Sequence, residues 1–162
     1  MEAIEFLISQ HEEMETLLRK VLDSDDAGST HALFVKAADR LTMHMTAEEE
    51  VFYPAVRARR TEDILLESLE EHLSLKRLLA DLLELEPSQQ TFEPKFKVLK
   101  EQAEHHHKEE EEHLFPRVKK LLDSAQRMAL GEAMAQLQAQ LQAQGRPREA
   151  VTEQTGEAAP LE

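Results

Sequence analysis

Apolar side chains recur along most of the chain at intervals of three and four residues, the spacing of one face of an α-helix. The interruptions of this pattern predict four long helices, over about residues 3–22, 30–60, 61–85 and 92–122. Short connections between long helices are typical of an all-α, antiparallel, up-down-up-down four-helix bundle. Prolines lie inside the second and fourth segments, so we expect the helical hydrogen bonding to be disturbed there.

The C-terminal quarter of the chain has a different pattern. A fifth, more weakly amphipathic helix is predicted over residues 125–144, and residues 145–162 contain too few apolar side chains to predict a packed structure. We therefore divide the chain into a bundle (residues 1–124), a C-terminal helix (residues 125–144) and a disordered tail (residues 145–162). The apolar face of the C-terminal helix either covers the bundle or forms a homodimer surface.

Charge and composition exclude several classes of function. The 162 residues suit one domain, and 19 basic against 33 acidic residues give a net charge of −14, which opposes binding to nucleic acid or to an anionic membrane. No segment has the pattern of a membrane span or of a signal peptide, so we expect a cytoplasmic protein. The absence of cysteine leaves histidines and carboxylates as the candidate metal ligands.

The chain contains an internal repeat that carries histidines. Residues 44–54 align without gaps with residues 106–116, and residues 11–18 align with residues 72–79. Each copy supplies one isolated histidine and one His-x-x-x-Glu pair, whose two side chains lie one helical turn apart on the same face. The six residues are His11, His44, Glu48, His72, His106 and Glu110.

These six residues fall on the apolar faces of the four helices. A single histidine in such a position is usually a hydrogen-bonded core residue, and a single His-x-x-x-Glu pair is often a surface ion pair. Their joint occurrence on every helix favours metal binding, because buried carboxylates require a strong positive partner. The sequence therefore predicts a metal site in the bundle core.

The histidine run at residues 105–107 leaves the register of the second pair to be chosen. Alignment on the two prolines selects His106 with Glu110, and only this pair continues the apolar face of the fourth helix. The remaining histidines are predicted at the surface, with His105 or His107 as candidates to hydrogen-bond a ligand. These remaining histidines are His31, His105, His107 and His113.

The arrangement of the six residues resembles the hemerythrin family, specifically the bacterial HHE cation-binding domains, over about residues 3–122. Aromatic-proline endings typical of the family occur at residues 53–54 and 115–116. The resemblance implies an antiparallel bundle around a non-haem, carboxylate-bridged centre of two iron ions. The histidines of the first copy would hold one iron, those of the second copy the other, and the two glutamates would bridge them.

Two positions depart from the oxygen-carrying hemerythrins. Lys76 stands where those proteins have a second histidine on the third helix, and Glu110 replaces an aspartate one residue further on. The centre would then have more exchangeable positions, which favours reactivity over reversible oxygen storage. Lys76 either extends to solvent or steers an anionic ligand.

We therefore expect a hemerythrin-like di-iron protein that binds or reacts with dioxygen, nitric oxide or peroxide in sensing, scavenging or stress response. The same pattern resembles proteins linked to the repair of damaged iron centres, so iron donation is an alternative, as is a peroxidase- or catalase-like enzyme. A metal-free interaction bundle is a further alternative. Zinc is a minor option, and the order of the ligands argues against a ferritin-like site.

Overall fold

A computed structural model describes residues 1–162, and all of its regular elements are helical. None of the helices is both long enough and apolar enough to cross a membrane. The α-helices are α1 (Ala3–Asp23), α2 (Ala27–Ala47), α3 (Tyr53–Ala55), α4 (Glu62–Leu83), α5 (Phe92–Glu109), α6 (Phe115–Leu121) and α7 (Ser124–Gln144).

Local sequence explains where the helices begin. Asp26 precedes α2 and accepts a hydrogen bond from the Ser29 amide, which satisfies one free donor of the first turn. Asp123 and Gln126 form a reciprocal capping box at the start of α7. The observed helices begin and end within about five residues of the predicted bounds. The predicted break between α4 and α5 around Pro87 is also present.

Four long helices form the bundle predicted from the sequence. Helix α1 contacts α2 and α5, while α4 contacts α5 and α2, so the four helices close a ring. Their core consists of two apolar clusters rather than one, with Phe34 and Phe96 in the first and Phe52 and Leu114 in the second. On each helix a candidate metal-ligating histidine lies between residues of these clusters, so a polar layer separates them.

Two widened π-helical turns interrupt the second and fourth bundle helices at equivalent places, over Glu48–Phe52 and Glu110–Leu114. Each turn begins at a candidate metal-ligating glutamate and ends two residues before a proline. A regular helix would bring a proline ring against the carbonyl four residues earlier, and the wider turn relieves that conflict. The disturbed helical hydrogen bonding expected at the prolines is therefore a π turn, and the first residue of each turn is a candidate metal-ligating glutamate.

Helix α7 packs across α1 and α2 of the same chain. Its Gly131 lies directly against the backbone of residues 1–3, where a β-carbon would collide with the Met1 carbonyl. Met134 of the same helix is fully buried in the second apolar cluster. The structure thus shows this helix covering its own bundle, which was one of the two roles predicted for it.

The tail, residues 145–162, was predicted to be disordered, but part of it is helical and packs on the bundle. Pro147–Glu153 forms a 3₁₀ helix against α2 and α4, and Val151 is buried in the first apolar cluster. The Arg148 guanidinium binds both carboxylate oxygens of Asp39, at 3.2 and 3.1 Å. Ala158, Ala159 and Leu161 pack against the second apolar cluster. The average composition of the tail conceals these contacts, because a few apolar side chains and one ion pair anchor an otherwise polar segment.

Replacing Val151 with aspartate should detach this tail, because the new carboxylate would be buried among apolar side chains without a partner. We expect the free energy of unfolding to fall by at least about 1 kcal/mol, together with faster proteolysis within residues 145–162. Thr152→Asp adds the same charge at the neighbouring exposed position and serves as the control. Equal stability and equal proteolysis of the two variants would show that Val151 does not anchor the tail.

Candidate metal centre

The six predicted residues lie together in the polar layer of the bundle. Each long helix contributes one histidine, and each π turn contributes the glutamate at its first position. None of the six side chains is more than 4% exposed. The bundle thus buries two carboxylates and four imidazoles at one level of its core.

Each glutamate lies between histidines from both copies of the repeat. Glu48 Oε1 is 3.3 Å from His44 Nε2 and 3.1 Å from His72 Nε2. Glu110 Oε1 is 3.3 Å from His11 Nε2 and 3.5 Å from His106 Nε2. A carboxylate placed in this way can bridge two metal ions.

The ligand atoms form two overlapping groups, each compact enough to surround one cation. The first group contains His11, His44, Glu48 and Glu110, and the second contains Glu48, His72 and His106. Glu48 belongs to both groups. The grouping separates the histidines into the same two pairs that the family resemblance implies.

Several buried atoms of this cluster have no hydrogen-bond partner. They are His11 Nε2, His44 Nε2, Glu48 Oε2 and Glu110 Oε1. His11 Nε2 and His44 Nε2 each lie 3.3 Å from a carboxylate oxygen, but without the geometry of a hydrogen bond. Elsewhere in the cluster His72 Nε2 does pair with Glu48 Oε1, at 3.1 Å. Because unpartnered buried polar atoms are costly, and because these are nitrogen and oxygen lone pairs, the cluster fits a bound cation.

The Nδ1 atom of each of the four histidines forms a hydrogen bond with a residue outside the cluster. The Nδ1 partner is a carboxylate for three of the histidines and an amide oxygen for the fourth. Because a carboxylate can only accept a hydrogen bond, the histidine Nδ1 must be the donor. This bond orients the ring and presents the Nε2 lone pair to the centre. The pairs are His11 with Glu111 (2.8 Å), His44 with Gln10 (2.9 Å), His72 with Glu49 (2.7 Å) and His106 with Glu71 (2.7 Å).

The electrostatics of the metal-free cluster indicate a deficit of positive charge. Burial and the nearby charge of Glu48 raise the pKa of Glu110 to about 7. Burial alone would lower the pKa of His11, but the neighbouring carboxylates of Glu110 and Glu111 raise this pKa to about 9. Burial lowers the pKa of His44 to about 4. Protons thus supply part of the positive charge that a metal cation would bring.

Tyr53 is a residue of the site that the ligand pattern did not single out. Its buried hydroxyl donates to Glu110 Oε2 at 2.7 Å and lies 3.3 Å from His72 Nε2. Burial and the charges of the two glutamates raise its pKa well above the ordinary value, so the phenol stays protonated. The signal available in the sequence was its position directly before Pro54, in the aromatic-proline ending of the second helix.

Lys76 is buried, which contradicts one of the two expectations for it, and the steering of an anionic ligand stays a prediction. The side chain is 4% exposed, so it does not extend to solvent. Its Nζ lies 2.8 Å from Glu49 Oε1, and the other oxygen of Glu49 accepts from His72. Lys76 therefore fixes the carboxylate that orients a histidine of the site.

The predicted surface position of His107 is wrong. Its side chain is 6% exposed, and its ring stacks on His11 with 4.0 Å between the ring centroids. Adjacent residues on a helix point about 100° apart, and α1 packs closely enough against α5 to cover both His106 and His107. The other three histidines predicted at the surface, His31, His105 and His113, are exposed.

The fold and the site together define a helical-bundle protein with a buried histidine–carboxylate cluster suited to a metal cation. Residues 2–118 match the family model described as hemerythrin HHE cation binding domain, and the chain belongs to this family. The structure is similar to the crystal structure of a hemerythrin HHE cation binding domain-containing protein from Mycobacterium kansasii. The TM-score is 0.79 and the identity 26%, and the match covers 95% of this chain and 99% of that one.

A relative from Nostoc sp. (strain PCC 7120 / SAG 25.82 / UTEX 2576), described as a DNA nickase, is 31% identical over 116 residues. The match covers 72% of this chain and 33% of that protein. The chain thus spans about a third of the length of this relative.

Removing the carboxylate that orients His106 should weaken metal binding. We expect Glu71→Ala to lower the affinity for ferrous iron by about 10- to 100-fold, because His106 loses the acceptor that fixes its ring. Competition with a coloured chelator measures this change. Glu70→Ala removes an adjacent exposed carboxylate as the control, and the same affinity in both variants would contradict this role of Glu71.

Proposed function

We propose that this chain is a di-iron protein that binds or reacts with dioxygen, nitric oxide or peroxide at a carboxylate-bridged centre. The six ligands are His11, His44, Glu48, His72, His106 and Glu110. The observation that carries this proposal is the pair of overlapping ligand groups that share Glu48. A single cation would leave one of the two groups without a metal.

The chemistry of the donors supports iron. Imidazole nitrogens suit iron and other borderline metals, and carboxylates stabilise its higher oxidation state. Zinc usually takes four ligands in a closed tetrahedral site, whereas this cluster offers four imidazoles and two carboxylates to two neighbouring positions. Bound iron would supply redox electrons and exchangeable coordination positions for a small ligand.

The surroundings of the second ligand group support a reaction with a small ligand. This group consists of His72, His106 and Glu48, which is few ligands for an octahedral ion. Some coordination positions of an ion bound there would therefore stay open to a small ligand. The Tyr53 hydroxyl lies 3.3 Å from His72 Nε2 and donates its proton to Glu110 Oε2, so its oxygen can accept a hydrogen bond from a protonated ligand beside this group. The apolar clusters above and below the site restrict entry to small molecules.

Three activities are compatible with such a centre. Reversible binding or sensing requires a ligand-dependent change without turnover, whereas a peroxide- or nitric-oxide-consuming enzyme requires the ligand to disappear. Iron donation to damaged iron–sulfur centres requires one iron to leave readily. We favour binding or sensing. We do not propose the nickase activity, because the match covers a third of that relative and a net charge of −14 opposes DNA binding.

Anaerobic loading with ferrous iron should give about two metal ions per chain, since two ligand groups are present. Glu48→Ala should reduce this number and lower the affinity of the remaining metal, because Glu48 belongs to both groups. Elemental analysis after gel filtration measures the stoichiometry. Glu50→Ala removes an exposed carboxylate from the same π turn as the control. No retained metal in the wild-type protein, or the same stoichiometry and affinity in both variants, would contradict the proposed centre.

The loaded protein should then change its optical spectrum when dioxygen, nitric oxide or hydrogen peroxide is added. A change reversed by removing the ligand indicates binding, and loss of the ligand faster than with free ferrous iron indicates an enzyme. The metal-free protein is the control in each case. A loaded protein whose spectrum responds to none of the three ligands would contradict this part of the proposal.

A further inference from the structure

We propose that His107 is a third imidazole ligand at the metal position formed by His11 and His44. This inference rests on the proposed function, because it assigns a further ligand to one of the two positions. The internal repeat that identified the six ligands does not mark His107, because Met45 stands at the equivalent position of the first copy and His107 belongs to neither of the two selected His-x-x-x-Glu pairs.

The first observation is a buried nitrogen without a partner. His107 Nε2 is fully buried and makes no hydrogen bond, and the residue as a whole is 6% exposed. Such a nitrogen is costly in a protein core, so its retention needs an explanation. A metal ion would supply one, because a neutral imidazole nitrogen is among the commonest metal ligands.

The second observation is the geometry. The ligand atoms of His11, His44 and His107 all lie within 4.8 Å of one another. The His107 ring centroid is 4.0 Å from that of His11 and 5.3 Å from that of His44. The Nε2 atoms of His11 and His44 also lack hydrogen-bond partners. Three unpartnered imidazole nitrogens therefore lie close together, and because the His11 and His107 rings are stacked with 11° between their planes, one ring must turn for both nitrogens to bind the same ion.

The third observation is that His107 does not make the kind of contact by which other residues orient the ligands. Those residues, such as Glu111 beside His11, accept a hydrogen bond from a histidine Nδ1. His107 makes no hydrogen bond to any ligand and contacts His11 through its ring face. The competing explanation is that His107 only fills space beside His11, a role that any planar ring of similar size could serve.

A third imidazole makes the two metal positions unequal. The position of His11 and His44 would gain a third nitrogen and would then have more protein ligands than the position of His72 and His106. The position of His72 and His106 would keep the exchangeable sites, next to the Tyr53 hydroxyl. An exogenous ligand would then bind at the second position, and the metal there would be the first to leave.

Two variants distinguish a ligand from a packing residue. His107→Leu removes both the ring and the nitrogen, whereas His107→Phe keeps a ring to stack on His11 but has no nitrogen. The control is His105→Leu, at the exposed neighbouring position. Each protein is loaded anaerobically with ferrous iron and titrated with a ferrous chelator, and the unfolding of each metal-free protein is measured in urea.

We expect two unequal affinities in the wild-type protein. Both His107 variants should weaken the tighter site by about tenfold or more and leave the other within about threefold, while the control keeps both affinities. The metal-free His107→Leu protein should unfold at the same or a higher urea concentration, because an unpartnered nitrogen is removed.

Wild-type affinities in His107→Phe would overturn the inference, since stacking alone would then explain His107. Equal weakening of both sites, with a destabilised metal-free protein, would overturn it as well, because this result indicates general disruption of the core. Both results leave the di-iron proposal intact. Failure of the wild-type protein to retain iron would instead remove the proposed function and this inference together.

Discussion

Two carboxylates buried among imidazoles are the constraint on which the rest of this structure depends. Glu48 and Glu110 are at most 1% exposed and lie in the core of a small helical bundle, where an uncompensated negative charge is strongly unfavourable. All four long helices supply a histidine to this layer, and outer acceptors hold each ring in place. The two apolar clusters on either side stabilise the bundle and exclude water from the layer.

The fold and the central residues could be predicted because both leave periodic signals. Apolar spacing of three and four marked the helices, and their observed bounds differ by a few residues at most sites. The repeat placed His44 and His106 at equivalent positions, and a polar residue on an apolar face is conspicuous when it recurs in register. The structure brings all six predicted residues into one cluster, and their role as ligands remains a proposal.

The features that were missed depend on single contacts rather than on patterns. His107 is buried because α1 lies over a broad face of α5, and no spacing rule distinguishes it from exposed His105. Lys76 is buried because Glu49 is available across a helix interface at 2.8 Å. The tail is held on the bundle by Val151, by the Arg148–Asp39 pair and by apolar residues near its end that pack on the second cluster. Such contacts join residues far apart in sequence, so composition and periodicity do not reveal them.

The most direct test of this account is the free energy of unfolding of the protein with and without bound iron. A metal that neutralises the buried carboxylates binds only the folded chain, so it must stabilise that state. We predict a gain of about 2.7 kcal/mol for each site when free ferrous iron exceeds its Kd a hundredfold. Identical urea unfolding of the chelated and the iron-loaded protein would show that the cluster satisfies its own charges without a metal, which contradicts the account.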